Sequence, residues 1–195
     1  MFDYLVFIGR FQPFHLAHQA VIKEALQRSN AVIVLLGSAQ PERTIKNMFS
    51  LAERKHMLRQ AFSVAEQPRI HLAGLIDVYN DEKWTAMVKQ AVKDIVEQQH
   101  PDNTRDQIKI GLIGHFKDQS SYYLTLFPEW PLVELENYFY LSATPLRERY
   151  LQGDLPSINQ VPQSTLDFLK QFQHTDIFKQ LQLQFNAQLS EHSIE

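Results

Sequence analysis

Two short stretches hold the residue types that could do chemistry. The first is Gly9-Arg10-Phe11-Gln12-Pro13-Phe14-His15-Leu16-Ala17-His18. Two imidazoles three positions apart, close to Arg10, suit a phosphoryl group: ring N–H groups donate to its oxygens as charge builds on them. As a metal pair, His15 and His18 have no third ligand in reach by sequence. As ordinary histidines they would only fill surface or core. The second stretch is Ser142-Ala143-Thr144-Pro145-Leu146-Arg147. Thr144 reads as a helix N-cap with Pro145 at the first helical position. Arg147 then falls in the first turn, where a cation opposes the helix dipole unless an anion is present. With the hydroxyls of Ser142 and Thr144, its planar fork of N–H groups suits phosphate oxygens.

Those clusters need elements to hold them. Tyr4–Ile8 is an apolar run that reads as a buried parallel strand, and Gln19–Leu26 reads as an amphipathic helix. The histidines therefore sit at a strand-to-helix turn, where backbone N–H groups hold an anion well. Ala31–Leu36, Ile70–Ile76, Ile108–Gly114 and Pro131–Leu135 read as four further strands. Between them, Ser50 and Glu53 form a capping box that opens a helix through about Ala65. Asn80 or Asp81 opens another helix through about Gln99, and 120–126 a short one. Strands alternating with helices predict an α/β fold: a Rossmann-like parallel five-stranded sheet with helices on both faces. Ligands in such sheets bind off the carboxyl ends of the strands, where the polar loops of this chain fall. After Leu151 the pattern breaks at Gly153-Asp154-Leu155-Pro156. Helices over Gln163–Phe172 and Asp176–Leu189 are expected as a C-terminal cap or an oligomer contact, with 190–195 frayed. The expectation is one domain over 1–195, with an α/β core over 1–150 and a helical segment over 151–195.

Composition removes several classes of function. A net charge of −3 over 195 residues argues against broad nucleic-acid or anionic-membrane binding. The chain has no cysteine, which rules out disulfides, thiolate metal sites and a thiol nucleophile. No apolar run approaches the roughly 20 residues of a membrane helix, and the start lacks the pattern of a secretory signal. A cytoplasmic location is expected. There is no G-x-G-x-x-G after the first strand, so a redox dinucleotide-binding site is not expected.

Gly9-Arg10-Phe11-Gln12-Pro13-Phe14-His15-Leu16-Ala17-His18 resembles the H-x-G-H signature of the nucleotidyltransferase superfamily, and Ser142–Arg147 its distal S-x-T-x-x-R signature. More closely, the chain resembles the archaeal-type nicotinamide-mononucleotide (NMN) adenylyltransferases. Gly37-Ser38-Ala39-Gln40, Lys46-Asn47-Met48-Phe49-Ser50 with Glu53-Arg54, Asp77 with Trp84, and Lys117-Asp118 with 120–130 add to the likeness, which covers about residues 4–150. The resemblance implies transfer of the adenylyl group of ATP to NMN, giving NAD and pyrophosphate. It implies catalytic roles for His15, His18 and Arg147. It implies ATP binding by Gly9, Arg10, Phe11, Lys46, Ser142 and Thr144 beside them, with backbone approach at Gly9 and Phe11. Acceptor binding falls to Asp77, Trp84, Asn47, Lys117 and Asp118, with Trp84 stacking on the nicotinamide ring. From the residues alone, Trp84 equally fits the apolar stripe of its helix, with Met87, Val88, Ala91, Val92, Ile95 and Val96. Mg²⁺ is expected on the ATP phosphates, with no metal held by the protein, and a homo-oligomer is expected from the relatives. No Glu-rich Nudix box is present. Two residues depart from the family pattern: Ala17 replaces the usual Gly and puts a methyl near the bound phosphate, and Met48 replaces a common Pro and is expected to loosen its loop. Two alternatives stay open: transfer to another phosphate acceptor such as phosphopantetheine or glycerol phosphate, and non-catalytic sensing of NAD or ATP.

Overall fold

Alternation along the strands decides the layering. In β1 (Phe2–Gly9), Leu5 and Phe7 point to one face while Tyr4, Val6 and Ile8 point to the other, as a period of two requires. β2 (Ser29–Leu36) divides in the same way: Val32, Val34 and Leu36 against Ile33 and Leu35. Both faces are buried, so each strand reads as a continuous apolar run. The computed structural model describes residues 1–101, 108–115, 119–136 and 141–191. Its five strands, with β3 (Ile70–Gly74), β4 (Ile110–Gly114) and β5 (Leu132–Glu134), form one parallel sheet of order β3-β2-β1-β4-β5. Val6 sits opposite Ile33 on one side and Leu112 on the other.

Helices cover both faces. The Leu5–Phe7 face packs against α1 (Leu16–Arg28), α2 (Leu51–Gln60) and the C-terminal helices; the Val6–Ile8 face packs against Val88, Val92 and Val96 of α3 (Asp81–Gln99). α3 starts at the expected cap, Asn80, whose side chain accepts from the Lys83 N–H. A 3-10 helix over Gln119–Thr125 stands where a short helix was expected. The helices α4 (Ala143–Leu151), α5 (Gln163–Phe172) and α6 (Asp176–Glu191) close the chain. They belong to the main core rather than to a separate cap: Phe172, Phe178, Leu181 and Phe185 are buried together with Phe49 and Met57. The Tyr150 hydroxyl donates to Leu169 O at 2.7 Å, and Gln182 Nε2 to Leu151 O at 2.9 Å, which fixes α5 and α6 to α4.

Two boundaries differ from the sequence expectation. α2 ends at Gln60, short of Ala65, because polar side chains take over its last backbone groups. Gln19 Nε2 donates to Ala61 O at 2.7 Å, and the Glu66 carboxylate accepts from both the N–H and the hydroxyl of Ser63. β3 stops at Gly74, before Ile76, where the chain passes so close to α2 that an added Cβ would lie 2.5 Å from Leu51 Cδ2. The backbone then stays tied to β2 by Leu75 N–H donating to Leu36 O.

One polar side chain sits deep in this apolar frame. Arg54 of α2 is 0% exposed. Its Nη1 donates to Arg10 O (2.7 Å) and Gly37 O (2.6 Å), and its Nη2 to Ser38 O (3.1 Å). Burial pulls its pKa down to about 10, against the charges of Asp77 and Glu53, so it stays a cation at neutral pH. A buried cation is tolerated only when its donors are satisfied. Removing it leaves three carbonyls without a donor. Arg54→Met is expected to lower the unfolding free energy by about 3 kcal/mol in urea titration; a loss below about 1 kcal/mol would show that water replaces the network.

Candidate functional site

In a sheet of this order the connections after β1 and β4 leave toward opposite faces, which opens a crevice at the carboxyl ends of those strands. The loop after β1 fills one wall. Phe11 there has φ 55, a left-handed conformation that a bulky residue adopts at a cost of about 1–3 kcal/mol. Its ring holds it there, packed among Phe7 (5.5 Å), Phe14 (6.1 Å) and His18 (4.8 Å). Gly9 is needed for this packing, since a Cβ would lie 2.9 Å from the Phe11 ring. That is a different reason from the backbone approach to ATP expected of it. Gln12, also buried, ties the turn to the loop before α2: its amide accepts from Phe49 N–H and donates to Phe49 O, both at 2.9 Å.

The two histidines cap α1 for each other. His15 Nδ1 accepts from His18 N–H and His18 Nδ1 from His15 N–H, each at 3.4 Å, with the rings stacked 3.6 Å apart. With both Nδ1 atoms accepting, the neutral rings carry their protons on Nε2. Backbone geometry thus selects the tautomer with Nε2–H as donor.

On the other wall, α4 begins two residues earlier than expected. Ser142 is the N-cap without a side-chain cap bond, and Thr144 and Pro145 are the second and third helical residues. The Thr144 hydroxyl is used differently: it accepts from Arg147 Nη2 at 3.4 Å. Arg147 is 5% exposed, and its Nη1 donates to Gln12 O at 3.0 Å. Its Nε–H is buried with no partner among the described residues. Burial, and then the neighbouring charge of Arg10, hold its pKa below the usual arginine value. A buried N–H left over on a cation beside a second cation is the arrangement an anion would complete.

These walls enclose a cavity of about 180 Å³ whose lining includes His15, His18, Ser142, Thr144, Arg147 and Arg10. Phe11, the Ala17 methyl and His115 from the end of β4 line it as well. A larger cavity of about 860 Å³ shares Arg10, Thr144 and Arg147 with it, and adds Arg43, Lys46 and Gln184 of α6. The ATP residues expected from the sequence therefore converge, Gly9 apart. Arg43, Gln12, His115 and Gln184 line these cavities as well, though the sequence reading does not single them out as site residues.

The acceptor residues divide. Asp77 and Trp84 share a separate cavity of about 320 Å³ with Tyr79, Asp81, Tyr122 and Tyr123. Trp84 is half-buried against Tyr123 (6.0 Å) and Phe127 (5.9 Å), so it serves the packing stripe and the cavity wall together. The Asp77 carboxylate accepts from Ser38 N–H at 3.1 Å. Asn47 lines none of the three cavities and closes a turn with Thr44 instead. Lys117 and Asp118 lie outside the described residues. Met48 does not loosen its loop: it is 0% exposed, and its carbonyl accepts from Arg43 Nη1 at 2.8 Å. Among the described residues no group of three or more His, Cys, Asp and Glu side chains is placed to hold a metal ion, and no helix is long and apolar enough to cross a membrane.

A parallel sheet with a cationic crevice at its switch point, facing a tautomer-locked histidine pair, defines a protein that handles nucleotide phosphates. The family model described as cytidylyltransferase-like matches residues 6–149, and the chain belongs to that family. It is similar to an Acinetobacter baylyi protein named nicotinamide/nicotinic acid mononucleotide adenylyltransferase, 54% identical over 99% of this chain and 98% of the relative. An Archaeoglobus fulgidus nicotinamide-nucleotide adenylyltransferase is 33% identical over 49% of this chain and 59% of its own. Among solved structures, a bifunctional NMN adenylyltransferase/ADP ribose pyrophosphatase from Francisella tularensis, complexed with AMP and a manganese ion, superposes with a TM-score of 0.86 at 32% identity. This chain is covered completely and spans 56% of that longer one.

The loop bearing Arg43 and Lys46 is held by Glu53. Its carboxylate accepts from Ser50 N–H (2.7 Å) and takes the Arg43 fork at 2.7 and 2.9 Å. Burial pushes its pKa up, but the bonds from Arg43 and Ser50 outweigh that and hold it below 4.5. A carboxyl lowered in the fold stabilises above its unfolded pKa and loses that contribution as pH falls through the folded value. Glu53→Gln is expected to cost about 1 kcal/mol at pH 7. The gap from wild type should close as pH falls below 4.5 in pH-dependent thermal unfolding. A gap unchanged down to pH 3 would contradict the ionic role.

Proposed function

We propose that this chain catalyses adenylyl transfer from ATP to NMN, giving NAD and pyrophosphate. The acceptor is supported by 54% identity, over nearly the whole of both chains, to a relative named for this activity. The observation that carries the chemistry is the buried, incompletely bonded Arg147, which lines the same cavity as the histidine pair.

The NMN 5′-phosphate attacks the α-phosphorus of ATP in line, and pyrophosphate leaves from the opposite side. Nε2–H groups of His15 and His18 donate to oxygens of the α-phosphate, whose charge they stabilise as bonds change. Arg147, Arg10 and Lys46, with the hydroxyls of Ser142 and Thr144, hold the β- and γ-phosphates and take up the charge of the departing pyrophosphate. Phe11 and the Ala17 methyl help exclude water from the reacting atoms. Trp84 and Asp77 hold the nicotinamide end of the acceptor. With no cysteine and no Ser-His-acid set apparent in the sequence, we take the adenylyl group to pass directly between substrates. A divalent cation, which we take to be Mg²⁺, would neutralise phosphate charge. The described lining of the two phosphate cavities is cationic, with Glu148 its one carboxylate, and so fits a metal carried on ATP and its waters.

The test is pyrophosphate release from ATP and Mg²⁺ with a panel of NMN, phosphopantetheine and glycerol phosphate. NMN should give NAD in equal amount to pyrophosphate. Release with another acceptor alone, or none at all, would overturn the reading. His18→Ala is expected to lower kcat at least about 100-fold in a protein that still folds, with a lower melting temperature from the lost cap of α1; near-normal turnover would remove His18 from the mechanism.

A further inference from the structure

Four aromatic side chains surround the acceptor cavity, and three of them are anchored. Trp84 meets Tyr123 edge-on, with their planes at 74°. The Tyr123 hydroxyl donates to Ile8 O at 3.2 Å. The Tyr122 hydroxyl donates to Asp81 Oδ1 at 2.8 Å, joining the 3-10 helix after β4 to the start of α3. Tyr79 is the fourth. It lines the same cavity yet is fully exposed, with no hydrogen bond or ring contact among the described residues. Its backbone is held all the same, since the next residue, Asn80, caps α3. The ring is therefore carried on a fixed stem and is free to turn about its side-chain bonds.

We propose that Tyr79 is an acceptor-binding residue: its ring closes over the pyridinium ring of the acceptor and holds it from the side opposite Trp84. This rests on the activity proposed above and goes beyond it by adding a second aromatic wall. An isolated exposed tyrosine is ordinary on a protein surface. What distinguishes this one is a cavity with three fixed aromatic walls and one open side, together with an acceptor whose ring is planar and cationic. Such a ring is attracted to the faces of two aromatics at once. Closure also sheds water from the bound ring without any backbone rearrangement.

Because Tyr79 makes no contacts of its own, its removal does not disturb folding, and Tyr79→Ala should melt with the wild type. Calorimetric titration of NMN into the protein with a non-hydrolysable ATP analogue reads the contact without turnover. Tyr79→Ala is expected to weaken NMN binding roughly five-fold, with affinity for the ATP analogue unchanged and Tyr79→Phe restoring NMN affinity. Equal NMN affinity in wild type and Tyr79→Ala would overturn the proposal. So would a Tyr79→Phe defect as large as that of Tyr79→Ala, since it would place the contact on the hydroxyl. Wild-type NMN binding without pyrophosphate release would reject the activity and leave the clamp standing; no binding by wild type would overturn both.

Discussion

The buried guanidinium of Arg54 is the constraint on which the site depends. Three loops meet under the crevice: the end of β1, the end of β2 and the start of α2. None has a regular ladder to satisfy its carbonyls, and Arg54 supplies the donors for Arg10, Gly37 and Ser38. The first of these carbonyls belongs to a residue that lines both phosphate cavities. The last belongs to Ser38, whose N–H fixes Asp77 in the acceptor cavity. A single buried cation thus sets the phosphate and acceptor halves of the cleft relative to each other. The polar network specifies geometry at a cost in desolvation, a trade that a purely apolar packing of the same loops could not make.

Arg147 shows the opposite balance. It is almost as buried as Arg54, but one of its donors has no acceptor among the described residues, and Arg10 stands close enough to disfavour its charge. The fold bears this cost because α4 is fastened elsewhere, by Tyr150 and Leu151 to the C-terminal helices. In the proposed reaction an incoming triphosphate would relieve the repulsion and complete the bonding together, concentrating binding energy where charge moves. The histidine pair is ordered by its own capping bonds, which favour the tautomer with Nε2–H as donor.

Much of this was legible in the sequence because it is local. Apolar runs gave the strands, and the Ser50–Glu53 box and Asn80 gave two helix starts. The spacing of His15 and His18 at a strand-to-helix turn placed both at the start of α1, where they line one cavity. What escaped was of long range or set by competition. The pattern around Arg54 does not show that it is buried, because two of the strands' end loops supply its partners. Thr144 has the type of a helix cap, but Arg147 claims its hydroxyl and the helix starts two residues sooner. At Gly9 the Phe11 ring adds a packing reason for glycine that the sequence does not show. The helices after Leu151 have an apolar stripe that sequence alone cannot assign to a partner; the structure turns it inward, onto Phe49 and Met57.

The proposed reaction is a direct in-line transfer between two bound substrates, with the protein contributing position and charge alone. Its most direct test is the stereochemical course at phosphorus. ATP bearing one sulfur of defined configuration on its α-phosphorus is turned over with NMN, and the configuration of the dinucleotide product is determined. A single displacement predicts inversion. Retention would require an adenylyl group carried on the protein, and would contradict the account.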